Sequence, residues 1–415
     1  MANIKCFKAL RPKQEFVSQV AALPYDVVNV EEAREEVKDN KYSFLHVDKP
    51  EIDLEDSVDH YDKKVYEQAG KSLKNMVKNN VFIQDHKECL YIYRLERLGM
   101  IQNGLVCCCS IDDYLNDVIK KHEHTLVNKE QDRINHVKFT DAHTGPIMMA
   151  YRKRDKISCI INDWVSNHMP LYDFKSKDGV HHTVWRIDEL EKIEEIIGEF
   201  SKVPSIYIAD GHHRAAAAVK VGLMKREENQ DYTGDEEFNF FLSVLFPSDE
   251  LNILEYNRVI KDLNGFSVDD FIQKLHVDFD IIYKGNDFFK PKKRRCFSLY
   301  LEGKWYGLQA KPHTFNERDP VACLDVSILQ SRVFAPILGI DDPRNDPRID
   351  FVGGIRGFEE LKRRVDSKEM KAAFYLYPTS IDELMNIADC GLVMPPKSTW
   401  FEPKLRSGIF IHTLK

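Results

Sequence analysis

The stretch that decides the fold reads IYIADGHHRAAAA and spans residues 206–218. Its first four residues are apolar and typical of a buried strand, whereas the four alanines that close it favour a helix. The pentapeptide from Asp210 to Arg214 is therefore predicted to form the turn between strand and helix. Backbone N–H groups at a helix start lack intrahelical partners and carry a partial positive charge. The turn is thus a predicted anion site, with phosphate as the favoured anion.

The residue types of this pentapeptide suit phosphate or metal-phosphate chemistry. Arg214 offers paired N–H donors to phosphate oxygens, and His212 and His213 can donate, accept or ligate a metal. Gly211 adds a flexible backbone beside the carboxylate of Asp210. The alternative is structural, with Asp210 as a helix cap and the histidines partly buried around it.

A second candidate constellation lies earlier in the chain, at Lys121-His122-Glu123-His124-Thr125, followed by Lys129, Glu130, Asp132 and Arg133. It offers bases, acids and a hydroxyl but few apolar positions for a buried helix face. His122 and Glu123 are therefore candidates for a general base or a magnesium ligand beside the phosphate turn. The alternative is a solvated charged helix. The two histidines are two residues apart, which differs from the four-residue spacing of zinc-protease helices.

Two further segments have polar groups suited to ligands. The tail around Lys397, Ser398 and Thr399 offers one charge and two hydroxyl donors to an anion, although a C-terminal clamp anchored by Trp400 and Phe401 explains it as well. The alternating Asp and Arg residues of 341–350 favour a loop of internal ion pairs. The chain has no P-loop, dinucleotide glycine fingerprint, protein-kinase signature or nucleophile elbow, so any nucleotide binds by another scheme.

Composition excludes several classes of protein. The 415 residues are 43% hydrophobic and 30% charged, which is typical of a globular protein of two or three domains. A net charge of −8 argues against a broad nucleic-acid surface. The chain has neither a long apolar span nor a secretory leader, so a cytoplasmic protein without membrane contact is expected. The nine cysteines are an odd number and include Cys107-Cys108-Cys109, which favours reduced thiols.

The order of apolar and polar runs predicts the architecture. Strands alternate with helices and no repeat occurs, which indicates a mixed α/β or α+β fold. Predicted elements include a helix at 30–37, a hairpin at 88–111 with its turn at 99–104, and strands at 180–187 and 240–246. Residues 111–132 are predicted to be helical first and then loop-like. A domain boundary is expected at 247–252, which divides the chain into 1–248 and 249–415.

Five motifs together resemble a widespread family of unknown function, and the resemblance covers nearly the whole chain. They are FKALRP at 7–12, LPYDVV at 23–28, YSFLHV at 42–47, DGHHR at 210–214 and PPKST at 395–399. Around the DGHHR turn this family is similar to the free-serine kinases of the ParB and sulfiredoxin superfamily. The resemblance implies a ParB/sulfiredoxin-like core within 1–248, an elaborated C-terminal α+β region whose tail returns to the active site, and transfer of phosphate from ATP to free L-serine.

In those kinases a His-Glu pair followed by Thr precedes the turn, and here it matches His122, Glu123 and Thr125 in the same order. The resemblance therefore implies that Glu123 is the general base and Asp210 the second essential carboxylate, both near Mg²⁺. It also implies that His213 is catalytic. Phosphate or nucleotide binding falls to Gly211, His212, Arg214 and Arg133, and binding of serine to Lys397, Ser398, Thr399 and Asp26. About 87 residues separate the two motifs, more than the smaller kinases have.

The expected partners are thus free L-serine and a nucleotide, without nucleic acid, and a homodimer is one option for the assembly. ADP and pyrophosphate remain alternative phosphate donors because their terminal oxygens resemble those of ATP. Two other functions stay open: a ParB-like nucleotide-binding regulator and a metal-dependent phosphohydrolase. Phosphoserine formation would place the protein in amino-acid metabolism, either in cysteine biosynthesis or in serine breakdown.

Overall fold

The chain forms two compact units. The structure, a computed structural model, describes all residues from Met1 to Lys415. The first unit comprises Met1–Leu251 and Pro403–Lys415, and the second comprises Asn252–Glu402. The break after Leu251 lies close to the boundary expected from the sequence. The last thirteen residues differ from that expectation, because 403–415 belong to the first unit, where their backbone pairs with earlier strands.

The secondary structure alternates between strands and helices throughout. The strands are β1 (Ile4–Lys5), β2 (Leu10–Pro12), β3 (Phe82–Gln84), β4 (Leu90–Arg97), β5 (Met100–Ser110), β6 (Ile119–Lys120), β7 (Ala142–His143), β8 (Ile147–Tyr151), β9 (Tyr172–Lys175), β10 (His181–Ile187), β11 (Ile206–Asp210), β12 (Phe240–Pro247), β13 (Asn252–Leu254), β14 (Tyr256–Ile260), β15 (Phe279–Gly285), β16 (Cys296–Leu301), β17 (Lys304–Ala310), β18 (Ile349–Gly353), β19 (Ala372–Tyr375), β20 (Trp400–Glu402) and β21 (His412–Thr413). The helices are α1 (Val17–Val20), α2 (Val30–Val37), α3 (Leu45–Asp48), α4 (Lys63–Lys78), α5 (Ile111–Leu115), α6 (Val127–Thr140), α7 (Asp155–Asn167), α8 (Leu190–Phe200), α9 (His212–Glu228), α10 (Val268–Asp278), α11 (Asp325–Leu329), α12 (Gly357–Asp366) and α13 (Ile381–Asp389).

The first unit is built on a nine-stranded mixed sheet. Its strand order is β6-β11-β8-β12-β5-β4-β10-β9, with β1 paired to β5. The pairs β6–β11 and β8–β12 are parallel, and the remaining pairs are antiparallel. Both β8 and β12 are buried along their full length, as expected for strands covered on both faces. Strand β11 lies next to the edge strand β6, and its carboxyl end leads into α9.

Most predicted elements of the first unit are confirmed, with two corrections. Helix α2 spans the predicted residues and has a capping box at Asn29. The hairpin is present, but its turn is at Leu98–Gly99, and Gly104 lies within β5 opposite Tyr93. A Cβ at Gly104 would overlap Val244 Cγ1, so glycine permits close strand packing there. The region expected to be loop-like towards 132 instead begins the helix α6 at residue 127.

The second unit contains a six-stranded antiparallel sheet of order β15-β17-β16-β19-β14-β18, and β13 pairs with β20. Helix α12 contacts β19 and β16 of this sheet. The mixed α+β fold class is therefore confirmed, whereas a ParB/sulfiredoxin-like core stays a prediction. None of the helices has both the length and the apolar composition to cross a membrane.

Candidate functional site

The DGHHR turn forms as predicted, between the end of β11 and the start of α9. Gly211 is the N-cap residue and has φ 101° and ψ 32°, a left-handed conformation that glycine adopts without steric cost. The amide of Ala215 donates to the carbonyl of Gly211, which closes the first helical turn. The N–H groups of the first turn thus point out of the start of a 17-residue helix, a standard seat for an anion.

Arg214 links the turn to the neighbouring loop before β8. Its Nη1 donates to the carbonyl of Pro146 at 2.6 Å, and its Nη2 lies 3.5 Å from Asp210 Oδ2. Lys404 Nζ lies 3.5 Å from the same carboxylate oxygen. The side chains of Arg214 and Lys404 are 13% and 11% exposed, so two cations are held near one partly exposed carboxylate at the helix start. Positive charge therefore exceeds negative charge at this point.

His122 and His212 form a buried pair beneath the turn. Their rings meet edge to face with centroids 4.4 Å apart, and the residues are 3% and 5% exposed. Burial lowers the pKa of His122 to about 4, and burial together with the neighbouring histidines lowers the pKa of His212 well below its usual range. Both imidazoles are therefore neutral at pH 7. They serve as packing groups and hydrogen-bonding groups at this pH, without a positive charge for phosphate.

The loop that carries Glu123 is held over the turn by histidine contacts. The amide of Leu126 donates to His213 Nε2 at 3.0 Å, which leaves the proton of a neutral His213 on Nδ1. Glu123 Oε2 lies 3.8 Å from His212 Nδ1, and its side chain is 51% exposed. The two motifs that the sequence separates by about 87 residues are thus adjacent. Glu123 is thus an exposed carboxylate close to the anion seat, and its role as general base stays a prediction.

A small cleft beside Arg214 is lined by groups that include Tyr25, Asp48, Arg133, Thr144 and Gly145. Asp48 is 4% exposed and accepts a 2.7 Å hydrogen bond from Thr144 Oγ1. A Cβ built on Gly145 would lie 3.6 Å from Arg214 Nη1 and 3.7 Å from Asp48 Oδ2, so both side chains approach this glycine closely. Arg214 therefore lies close to the polar side chains of Asp48 and Thr144 as well as to the turn.

Arg133, predicted to bind phosphate, lies in this cleft on α6. Its guanidinium pairs with Asp132 at 2.7 Å and stacks over the ring of Tyr25, 3.8 Å from the centroid. The neighbouring Tyr25, Asp132 and Asp48 raise the pKa of Arg133 against the opposing effect of burial, so its charge is permanent. Asp26, predicted to bind serine, is exposed next to Tyr25. Its role stays a prediction.

The tail residues Lys397, Ser398 and Thr399 belong to the second unit. Ser398 Oγ donates to the carbonyl of Pro395 at 2.6 Å, and the Ser398 carbonyl accepts from Thr379 Oγ1 at 3.0 Å. Lys397 has φ 56°, and its ammonium lies 5.6 Å from the ring centroid of Tyr256. These contacts order the tail within its own unit, and a role in serine binding stays a prediction.

The donor set of the turn fits magnesium shared with a phosphate ligand. The chain has no group of three or more His, Cys, Asp or Glu side chains arranged to hold a metal ion on their own. Mg²⁺ usually takes one or two carboxylates together with substrate phosphates and waters, and Asp210 and Glu123 are partly exposed carboxylates at the anion seat. These two residues are the candidates to hold such an ion when a phosphate ligand supplies the remaining oxygens.

Several residues of the site were not singled out by sequence reasoning. Thr144 and Gly145 lie in segments without a motif, whereas Lys404 ends the tail segment that contains Lys397, Ser398 and Thr399. Asp48 directly follows the YSFLHV motif, and Tyr25 lies inside LPYDVV, so both belong to the motifs that carry the family resemblance. Their position in or directly after these motifs is the signal that could have found them.

A family model described as "Protein of unknown function (DUF1015)" matches residues 4–327. No curated protein sequence matches the chain. Among solved structures, a conserved hypothetical protein from Pyrococcus furiosus is 14% identical with a TM-score of 0.35, covering 74% of this chain and 94% of its own. A free serine kinase in complex with AMP is 14% identical with a TM-score of 0.35, covering 72% and 86%. SbnI with a C-terminal truncation, from Staphylococcus aureus, is 10% identical with a TM-score of 0.37, covering 73% and 85%. At these values the likenesses assign no activity to this chain.

Proposed function

The chain belongs to the DUF1015 family, and we propose that it is a small-molecule kinase that transfers a phosphate from ATP to the hydroxyl of free L-serine. The observation that carries the proposal is the meeting of the two motifs in the first unit. The guanidinium of Arg214 lies at the start of α9, and the exposed carboxylate of Glu123 lies over the same turn. The choice of serine and of ATP comes from the motif resemblance.

The binding half of the site is electrostatic. Phosphoryl transfer places negative charge on the oxygens around the transferred group, and enzymes accelerate it chiefly by positioning and by fixed positive charge. Here that charge comes from the N-terminus of α9, from Arg214 and from Lys404. Because this charge comes from a guanidinium, an ammonium and a helix dipole, donor phosphates would be held without protonation of a histidine.

The reacting half of the site requires a base near the acceptor hydroxyl. Glu123 would take the proton of the serine hydroxyl as its oxygen attacks the terminal phosphorus, and the leaving group would be ADP. The hydrogen bond from the Leu126 amide to His213 holds the loop that carries Glu123, so His213 acts here as a positioning residue. Mg²⁺ would supply charge neutralisation and alignment of the donor phosphates when bound at Asp210, which leaves Glu123 available as the base.

Phosphorus NMR of the full-length protein with Mg²⁺, L-serine and ATP tests this proposal. The expected products are O-phosphoserine and ADP in equal amounts, with neither formed when serine is omitted. Parallel samples with ADP or pyrophosphate identify the donor, and a panel of other amino acids identifies the acceptor. Phosphate release without phosphoserine would select a phosphohydrolase. Nucleotide binding without any turnover would select a regulator.

Glu123→Gln provides the decisive variant because the side chain is half exposed and its replacement leaves the buried pair beneath it intact. Loss of a general base lowers kcat by about 10²–10⁴-fold. Glu191→Gln, an exposed glutamate in the first turn of α8, is the matched control and should leave kcat unchanged. Wild-type turnover by a folded Glu123→Gln protein would remove Glu123 from the mechanism.

A further inference from the structure

The second unit contains a cavity of about 310 Å³. Its walls combine the apolar side chains of Val326, Phe334, Phe351 and Pro396 with one buried cation, Arg258. Arg258 lies in the middle of β14, opposite Phe351 of β18 and Phe374 of β19, and is only 3% exposed. A cavity of mostly apolar walls with one buried charged group is the usual form of a small-molecule site.

The Arg258 guanidinium has no carboxylate partner. Its Nη1 donates to the carbonyl of Tyr256, and its Nη2 donates to the carbonyls of Lys397 at 3.0 Å and Pro396 at 3.4 Å. These three carbonyls account for three of the five N–H donors that a guanidinium offers. They orient the group but do not neutralise it. Burial accordingly lowers the pKa of Arg258 to about 10, against the usual permanent charge of arginine.

An uncompensated buried cation is costly, and proteins pair such groups with an anion or use them to bind one. Most buried arginines of this chain are paired with a carboxylate. Arg11, for example, makes two-pronged contact with Asp85 in the first unit. Arg258 departs from this pattern, and its unpaired charge lines an open cavity. The side chain therefore has the position of an anion-binding group.

The other charged side chains at the cavity limit the kind of anion that it can bind. Asp341, Asp342 and Arg344 also line it, and Arg344 pairs with Asp342 at 3.2 Å. One cation, Arg258, and one anion, Asp341, remain. A carboxylate at Arg258 leaves one excess negative charge beside Asp341, which the ammonium of an α-amino acid would neutralise, whereas a doubly charged phosphate would leave two. The apolar walls favour a ligand with an apolar body.

We propose that this cavity binds the carboxylate of a small organic acid with an apolar body, α-amino acids included, and that Arg258 is its anion-binding group. The aromatic and proline side chains contact the body of the ligand. The backbone of the Pro395–Lys397 segment fixes the guanidinium through its carbonyls. The proposal depends on the second unit alone and does not require kinase activity.

Calorimetric titration of the full-length protein tests the proposal with four probes. These are L-leucine, 4-methylpentanoate, which lacks its ammonium, 3-methylbutylamine, which lacks its carboxylate, and inorganic phosphate. We expect one or both acids to bind, and the amine and phosphate not to bind. Binding of leucine alone would narrow the class to α-amino acids. Binding of phosphate without either acid, equal binding of the amine, or no binding at all would overturn the proposal.

Two variants then assign the site. Arg258→Gln removes the charge and should weaken acid binding by about 10–100-fold, the range for a charge-assisted hydrogen bond. Because that change is buried, Val326→Phe provides a second route, since it fills the cavity from α11 and leaves Arg258 in place. Arg363→Gln, an exposed arginine paired with Glu360, is the control and should bind normally. A folded Val326→Phe protein with wild-type affinity would overturn the assignment.

Discussion

Replacing Gly211 by alanine has two expected effects at the phosphate turn: it strains the backbone and it displaces Arg214. The backbone at Gly211 has φ 101°, where any residue with a Cβ is strained. In addition, the new Cβ would lie 3.1 Å from the Cζ, Nε and Nη2 atoms of Arg214. These are tight contacts with the planar guanidinium, so the arginine must shift by a few tenths of an ångström or leave its bonds to Pro146 and Asp210.

The expected magnitudes follow from these two effects. Strain at a left-handed position costs about 1–3 kcal/mol of the free energy of unfolding. Loss of one aligned donor to the transferring phosphate costs about 10²–10³-fold in kcat, which corresponds to roughly 2.7–4 kcal/mol of transition-state stabilisation. The Gly211→Ala protein should therefore be moderately less stable and nearly inactive. A purely structural turn would show the first effect alone.

Gly234→Ala is the matched control. Gly234 has φ 100°, almost the same φ as Gly211, but no atom outside its neighbours lies within 4 Å of a Cβ built there. The control should lose a similar 1–3 kcal/mol of stability and keep its activity. Urea denaturation measures stability, and initial rates of phosphoserine formation measure activity. Equal activity in the two variants, after both are shown to be folded, would refute the role assigned to Arg214.

Two further predictions concern the surroundings of the turn. The pKa of His122 is about 6.5 in the unfolded chain and about 4 in the folded protein, so protonation of His122 favours unfolding. About 3 kcal/mol of the free energy of unfolding is therefore present above pH 6.5 and is lost as the pH falls to 4. The urea midpoint of His122→Gln should consequently drop less between pH 7 and about pH 4.5 than that of the wild type, and an equal drop would contradict the buried neutral state. Lys404→Gln should raise the KM for the phosphate donor about 3–10-fold with a smaller change in kcat, since its ammonium lies beside Asp210 at the anion seat. Lys415→Gln, at the exposed end of the chain, should leave both constants unchanged, and a KM unaffected in Lys404→Gln would remove this lysine from the binding site.

The sequence predicted the turn because its signals are local. An apolar β-favouring run, a glycine and four alanines specify strand, turn and helix within residues 206–218, and each signal acts over a few residues. The acidic helix at 30–37 was predictable for the same reason, since its capping box is contained in four residues. Local chemistry of this kind is readable without knowledge of the rest of the fold.

The cleft was not predictable in the same way because its members meet only through tertiary packing. Thr144 and Asp48 are 96 residues apart, and the loop at Gly145 becomes part of the site through the bond between Arg214 and Pro146. None of these contacts leaves a periodic pattern in the sequence. The assignment of 403–415 to the first unit has a similar origin, because β21 is two residues long and pairs with another two-residue strand, β7.

The charge states of the histidines change how the site is understood. In the sequence His212 and His213 are candidates to donate, accept or ligate a metal, but in the structure burial keeps His212 neutral and His213 accepts a hydrogen bond from the Glu123 loop. The positive charge at the turn thereby comes from Arg214, Lys404 and the helix start, with Arg133 in the adjoining cleft. Binding of phosphate and positioning of the base are thus assigned to different groups. Because α9 contributes both Arg214 and His213, one helical turn aligns the donor-binding charge with the loop of the base.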